Sequence, residues 1–230
     1  VRALDLRATT RDLRNSGDTA GGRDRVVGYG AYSFEPAEEA RLSEAERHQL
    51  LDAAVRTLRQ AVERGGAPVP ASGLAVESFP LPLRAVRRTF VTLDQRGALR
   101  GCIGTLAPVQ PLVADVVANT LKAATQDPRF APLTAAELPD VSVTVSILSH
   151  DRPVAFADEA ALRAALRPHR DGLIIRDAGR SALFLPKVWS ALPDPRDFLR
   201  HLKAKAGLAP DRESGTLEAF RFTAETFGTA

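Results

Sequence analysis

The chain contains one cysteine, Cys102, and it lies in the heptapeptide LRGCIGT at residues 99–105. A thiol becomes a nucleophile when positive charge or backbone N–H groups stabilise its thiolate. On a strand, Arg100 and Cys102 share one face. Arg100 can then orient an anionic group while Cys102 attacks or holds an electrophilic carbon. The flanking glycines let a substrate or another backbone come close, which makes Gly101, Gly104 and Thr105 candidate binding positions. The same residues have a second reading, in which a lone cysteine fills a small apolar space and strand glycines mark a bulge or tight packing.

A second candidate cluster is DPRF at 127–130. Asp127 and Arg129 either bond each other and the loop backbone or, in the sharper reading, Arg129 clamps an anion with its planar fork. A nucleophile also needs a base. His150, directly after a predicted strand, is the histidine best placed by topology, and His201 lies on a charged helix face. In LPKVW, Trp189 reads as core and Lys187 as surface.

Other chemistries find little footing. His48, His150, His169 and His201 are scattered, with no CxxC, HxH or HExxH spacing, so no metal site is expected and no cofactor is named. GCIG falls inside a hairpin and not at a strand-to-helix turn, so it is neither a phosphate loop nor a dinucleotide fingerprint. The 31 basic and 28 acidic side chains leave a net charge of only +3, and no basic block stands out. Nucleic acid is therefore an unlikely partner, whatever the pI of 9.4 suggests. No long apolar run argues for a membrane span, and one cysteine without a secretory leader points to the cytoplasm. Methionine is absent even at position 1, which fits a GTG start codon or a fragment of a longer protein.

These residues need elements to hold them. Asn15, Ser16, Gly17, Asp18, Gly21 and Gly22 fill the middle of the opening stretch with turn chemistry, and only RVVGYGAYSF there reads as strand. From Ser43, a capping box with Glu46 starts an amphipathic helix that stops at Gly65. A proline-rich loop follows to residue 85. VRRTFVTL and ALRGCIGTL flank the turn DQRG as a hairpin. A second helix follows Pro108, with Val109, Leu112, Val113, Val116 and Val117 on its buried stripe, and ends before DPRF. VSVTVSIL at 141–148 alternates apolar residues with hydroxyls. A short helix at 158–166, a hairpin at 172–185, a helix from Asp194 to Gly207 and one closing strand complete the chain. This mixture predicts an α+β fold with a largely antiparallel sheet flanked by helices.

Five blocks in order, TFVTLDQRGALRGCIGTL, AATQDPRFAPLTAAEL, VSVTVSILS, DGLIIRDAGRSALFLPKVW and FLRHLKAKAGL, resemble the AMMECR domain family over residues 43–228. That resemblance implies two subdomains, with the signature hairpin near a cleft between them. It also implies an association with Memo-family and radical SAM proteins, of which this would be protein A. NSGDT and RVVGYGA in the first 34 residues resemble the C-terminal end of the Memo family. The chain is thus divided into a Memo-like tail, 1–36, and an AMMECR domain, 37–230, as if cut from a longer fusion. The Memo metal-ligand histidines are not present, so Memo activity is not implied. Two functions stay open: an enzyme or substrate-handling component centred on Cys102, and a binding module for a partner protein or small anion.

Overall fold

A computed structural model describes residues 6–15, 27–36, 41–64 and 74–229. The chain opens with strands β1 (Leu6–Asn15) and β2 (Gly28–Pro36), which pair as an antiparallel hairpin. Helices α1 (Glu44–Glu63) and α2 (Leu81–Arg84) lead to β3 (Arg88–Gln95) and β4 (Ala98–Gly104). Then come α3 (Leu112–Thr125), β5 (Val141–Leu148), β6 (Arg152–Pro153) and α4 (Glu159–Ala165). The chain finishes with β7 (Gly172–Asp177), β8 (Arg180–Phe184), α5 (Pro195–Lys205), β9 (Glu218–Phe222) and β10 (Ala224–Gly228).

Two four-stranded antiparallel sheets organise these elements, ordered β10-β5-β3-β4 and β6-β9-β7-β8. Alternation decides which face of the first sheet is covered. Val91, Leu93, Val143, Val145 and Ile147 pack with Leu50, Ala54 and Leu58 of α1 and Leu112, Val113 and Val116 of α3. Each of those leucines or valines contributes about 1.5–3 kcal/mol by leaving water. The opposite face carries Thr92, Cys102, Thr144, Ser146 and Thr226, with the Ser146 and Thr226 hydroxyls 2.9 Å apart. The second sheet has its own core, in which Trp189 stacks on Phe198 at 3.8 Å beside Leu162, Leu173, Ile175 and Leu202. Leu148 and Phe90 of the first sheet join Ile174, Leu183, Leu185 and Phe222 in a third, smaller cluster. That cluster fastens the two subdomains together.

Local chemistry explains the joints. Ser43 and Glu46 form the expected capping box, and Asp194 accepts from the N–H groups of Arg196 and Asp197 to start α5. Arg96 and Gly97, at φ 52° and 81°, make the two left-handed positions of a tight hairpin turn between β3 and β4.

Four sequence expectations change. Residues 6–15, Asn15 included, form a strand although they lack apolar alternation, because β2 supplies the hydrogen-bonding partner; Ser16, Gly17, Asp18, Gly21 and Gly22 lie outside the described residues. The second amphipathic helix begins at Leu112, and Val109 is 73% exposed. Pro111 bars Gln110 from helical geometry, so the turn that would have buried Val109 never forms. Arg100 and Cys102, expected on one strand face, are offset because a register shift at Leu93/Asp94 leaves Arg100 as the extra residue of a bulge, with Leu99 43% exposed. The closing strand divides at Thr223, whose N–H donates to Ser149 Oγ at 2.9 Å. Its halves, β9 and β10, serve different sheets.

Candidate functional site

Cys102 sits opposite Thr92 on the hydroxyl-bearing face of the first sheet, half-buried, with its Sγ 3.4 Å from Thr92 Oγ1. Its main chain is held on both sides by DPRF. The Cys102 N–H donates to Asp127 Oδ2 at 2.8 Å, and the Cys102 carbonyl accepts from Arg129 Nη2 at 3.2 Å. Asp127 and Arg129 are joined by two further bonds, Nε to Oδ1 at 2.9 Å and Nη2 to Oδ2 at 2.7 Å. The Arg129 guanidinium holds the Asp127 carboxyl far below the ordinary carboxylate range; burial opposes this, and the N–H groups of Cys102 and Arg129 assist it. The pair thus makes the bonds of the first reading of DPRF, to each other and to the backbone. Asp127 is enclosed, at 2% exposure, while the Arg129 side chain remains 52% exposed beside the cysteine.

A second cation comes from the other subdomain. Lys205, at the end of α5, donates to the Leu183 carbonyl at 3.0 Å and lies 5.3 Å over the Phe184 ring. Although the residue as a whole is exposed, loss of water around its ammonium pushes its pKa down. Arg129 acts in the same direction and Cys102 in the opposite one, so all three groups share one electrostatic neighbourhood. Sequence reasoning missed Lys205 because no spacing rule links residues 102 and 205. The available signal was FLRHLKAKAG, a helix whose basic last turn exceeds what capping needs.

Arg100 is placed differently from the expectation. Its Nε and Nη2 donate to Glu137 at 2.7 and 3.2 Å, and Thr134 donates to Glu137 through both N–H and hydroxyl. Arg100 first and Thr134 next lower the Glu137 pKa to about 2. The bulge at Arg100 explains this pairing: an extra residue breaks the alternation that would have set the guanidinium beside the thiol. The cation beside Cys102 is Arg129.

The other motif residues do structural work. A Cβ on Gly101 would lie 2.3 Å from the Ala123 carbonyl oxygen, so this glycine lets β4 press against α3. A Cβ on Gly104 would lie 2.3 Å from the Phe90 ring. Thr105 donates to Asp115 Oδ1 at 2.7 Å and accepts from Asn119 Nδ2 at 3.0 Å. Asp115 Oδ2 in turn accepts from the N–H and hydroxyl of Thr89 at 3.0 and 2.7 Å. This network beneath the hairpin engages the Thr105 hydroxyl, which is thereby not a free ligand group.

His150 is set apart from the thiol by connectivity. His150 follows β5, whose Leu148 pairs with Arg88, four residues along β3 from Thr92. At about 3.3 Å per residue that is roughly 13 Å of strand. Burial, then Arg87 and Arg88, lower the His150 pKa, while Asp151 opposes them. His201 is exposed, with Nδ1 2.8 Å from the Asp197 carbonyl. Trp189 is fully buried and donates to the Asp171 carbonyl. Among the described residues no group of three or more His, Cys, Asp or Glu could hold a metal ion, and no helix is long and apolar enough to cross a membrane.

The AMMECR1 family profile matches residues 51–227 of the chain, spanning both subdomains and the whole hairpin. The chain belongs to the AMMECR1 family. A relative from Thermotoga maritima is 36% identical over 182 residues, covering 78% of this chain and 97% of its own. One from Methanothermobacter thermautotrophicus is 37% identical over 155 residues, covering 66% and 80%. The crystal structure of the uncharacterized protein PH0010 from Pyrococcus horikoshii superimposes with a TM-score of 0.71 at 30% identity, over 81% of this chain and 93% of that one. The α+β architecture with antiparallel sheets is thus shared with a solved structure of the family.

Proposed function

We propose that this AMMECR1 protein receives a small anionic electrophile in the cleft between its subdomains and acts on it through Cys102. The observation that carries the reading is the convergence of Arg129 and Lys205, one from each subdomain, on the electrostatic surroundings of a single half-buried thiol. Two cations favour an anionic ligand over a neutral one. The thiol releases its proton to solvent and Sγ forms a bond to an electrophilic carbon. The displaced electron pair settles on the attached oxygen, facing the cations.

The test is alkylation of Cys102 by a small electrophile in the folded protein, compared with the same chain in denaturant. Faster labelling when folded at neutral pH, reduced by Arg129→Gln, supports the reading. Protection until unfolding overturns it.

A binding module without chemistry is the second reading. It is favoured by the way Gly101, Gly104, Thr105 and Arg100 are each explained by packing or pairing. The exposed fork of Arg129 would then recognise a carboxylate on a partner protein or small anion. The resemblance of the signature blocks supports Memo-family and radical SAM proteins as partners, and NSGDT with RVVGYGA supports a Memo-like origin for residues 1–36. Co-purification of the full chain with such partners, lost on deleting residues 1–36, tests that assignment.

A further inference from the structure

We propose a second ligand site, a cavity at the edge of the second sheet that binds a small aliphatic diamine or polyamine. The cavity holds about 560 Å³, within the roughly 300–1,000 Å³ range of small-ligand sites. It opens where β6 ends: the Val154 N–H donates to the Ala219 carbonyl at 2.9 Å, and the chain then leaves β9 to reach Asp158 at the start of α4. The lining falls within residues 153–159 and 213–220, so the cavity belongs to the second subdomain and shares no residue with the cysteine site. Phe156 and Leu217 give it an apolar wall. Asp158, Glu159, Glu213 and Glu218 line it as well, and among the described residues of the lining there is no Lys, Arg or His.

What these carboxylates lack points to the ligand. Glu159 is buried, its side chain 7% exposed, and its Oε1 accepts from Lys203 Nζ at 2.7 Å. Among the described residues no donor reaches Oε2, which leaves a buried acceptor at the cavity wall. Asp158 uses Oδ1 to cap α4 through the Ala161 N–H. Glu213 also borders a smaller cavity with Arg163, Arg196 and Arg200, where the ion pair formed is that of Arg200 with Asp211. Arg176 stands opposite Glu218 across the β7–β9 register, but its guanidinium lies 4.7 Å over the Phe220 ring. A single metal ion does not answer this pattern, because no three of these acids are grouped closely enough to hold one. The charges are spread along the wall with apolar residues among them. Separate ammonium groups joined by methylenes match that spread, each a compact charge with several donors, while the chain between them covers Phe156 and Leu217.

Calorimetric titration of the full chain with putrescine and with spermidine, at constant ionic strength set by sodium chloride, tests the proposal. Saturable binding at one site per chain is expected. Methylammonium, with one charge and no chain to cover the apolar wall, should bind about tenfold more weakly or worse. Glu213→Gln and Glu218→Gln, both at exposed positions, each weaken putrescine binding about fivefold or more. Glu77→Gln, which removes an exposed acid of the first subdomain, leaves it unchanged. No saturable binding below about 10 mM overturns the proposal. An equal loss in Glu77→Gln, or displacement of putrescine by an equal concentration of magnesium, overturns it as well, since either result reduces the site to diffuse negative charge.

Discussion

Replacing Asp127 with asparagine removes one charge and almost no volume, and its effect follows from the bonds that oxygen pair accepts. Asp127 takes the N–H of Cys102 at 2.8 Å, the N–H of Arg129 at 3.1 Å, and Arg129 Nε and Nη2 at 2.9 and 2.7 Å. A hydrogen bond to a charged acceptor is worth about 1.5–3 kcal/mol net, but the guanidinium is half in water, which reduces its share to about 0–1 kcal/mol. Asparagine keeps one accepting oxygen and turns an NH₂ toward donors at the other position. The expected loss at neutral pH is about 2–3 kcal/mol, read as a lower urea midpoint with an unchanged slope. The folded pKa of Asp127 lies below its unfolded value. Its stabilisation is therefore complete above the unfolded pKa of about 3.9 and is lost as pH falls toward the folded one. The gap between the two proteins should narrow steadily below about pH 4. A neutral-pH loss under about 0.5 kcal/mol, or a gap that keeps its full size in acid, refutes the account of how the cysteine backbone is held.

Gly101→Ala forces β4 away from α3, since its Cβ has 2.3 Å to the Ala123 carbonyl oxygen; thermal melting should show a cost of about 1–3 kcal/mol or more. Thr105→Val keeps the shape but strips Asp115 and Asn119 of a partner, and chemical denaturation should register about 1–3 kcal/mol; a neutral change would remove the network from the explanation of the motif. Lys205→Met is expected to slow Cys102 alkylation while leaving the melting temperature unchanged or higher, because a desolvated ammonium is replaced by an apolar chain. Glu137 has its pKa lowered from 4.5 to about 2, so the stability it supplies is present above about pH 4.5 and fades as pH falls through 2. In Glu137→Gln that stretch of an acid titration of stability should be flatter.

Periodicity carried the fold a long way. The alternation in VSVTVSIL separates a helix-covered face from a hydroxyl face, and the Ser43–Glu46 box and the Asp194–Pro195 start are visible as residue types at fixed spacing. What strand period cannot carry is the place of a bulge: one extra residue at Arg100 redirects that guanidinium to Glu137, and the glycines of ALRGCIG admit a bulge or tight packing without locating it. The same limit hid the break at Thr223, where a residue suited to a strand instead ends one. The site was half legible. Cys102, Asp127 and Arg129 are close enough in sequence for motif reasoning to gather them, whereas Lys205 arrives from the other subdomain through tertiary packing alone.

The separation of β9 and β10 bears on how the molecule is made. Strand β10 closes the first sheet against β5, yet it follows every strand of the second sheet in the chain. During synthesis the first subdomain can assemble α1, α3 and three strands, but its outer edge stays open until the whole second subdomain has left the ribosome. The crossings between sheets, at Ser149 and Thr223, are bonded to each other, Ser149 N–H to the Thr223 carbonyl at 2.9 Å and Thr223 N–H to Ser149 Oγ at 2.9 Å. The halves are thus interlocked and not strung in series. Proteolytic dissection should yield no autonomous piece.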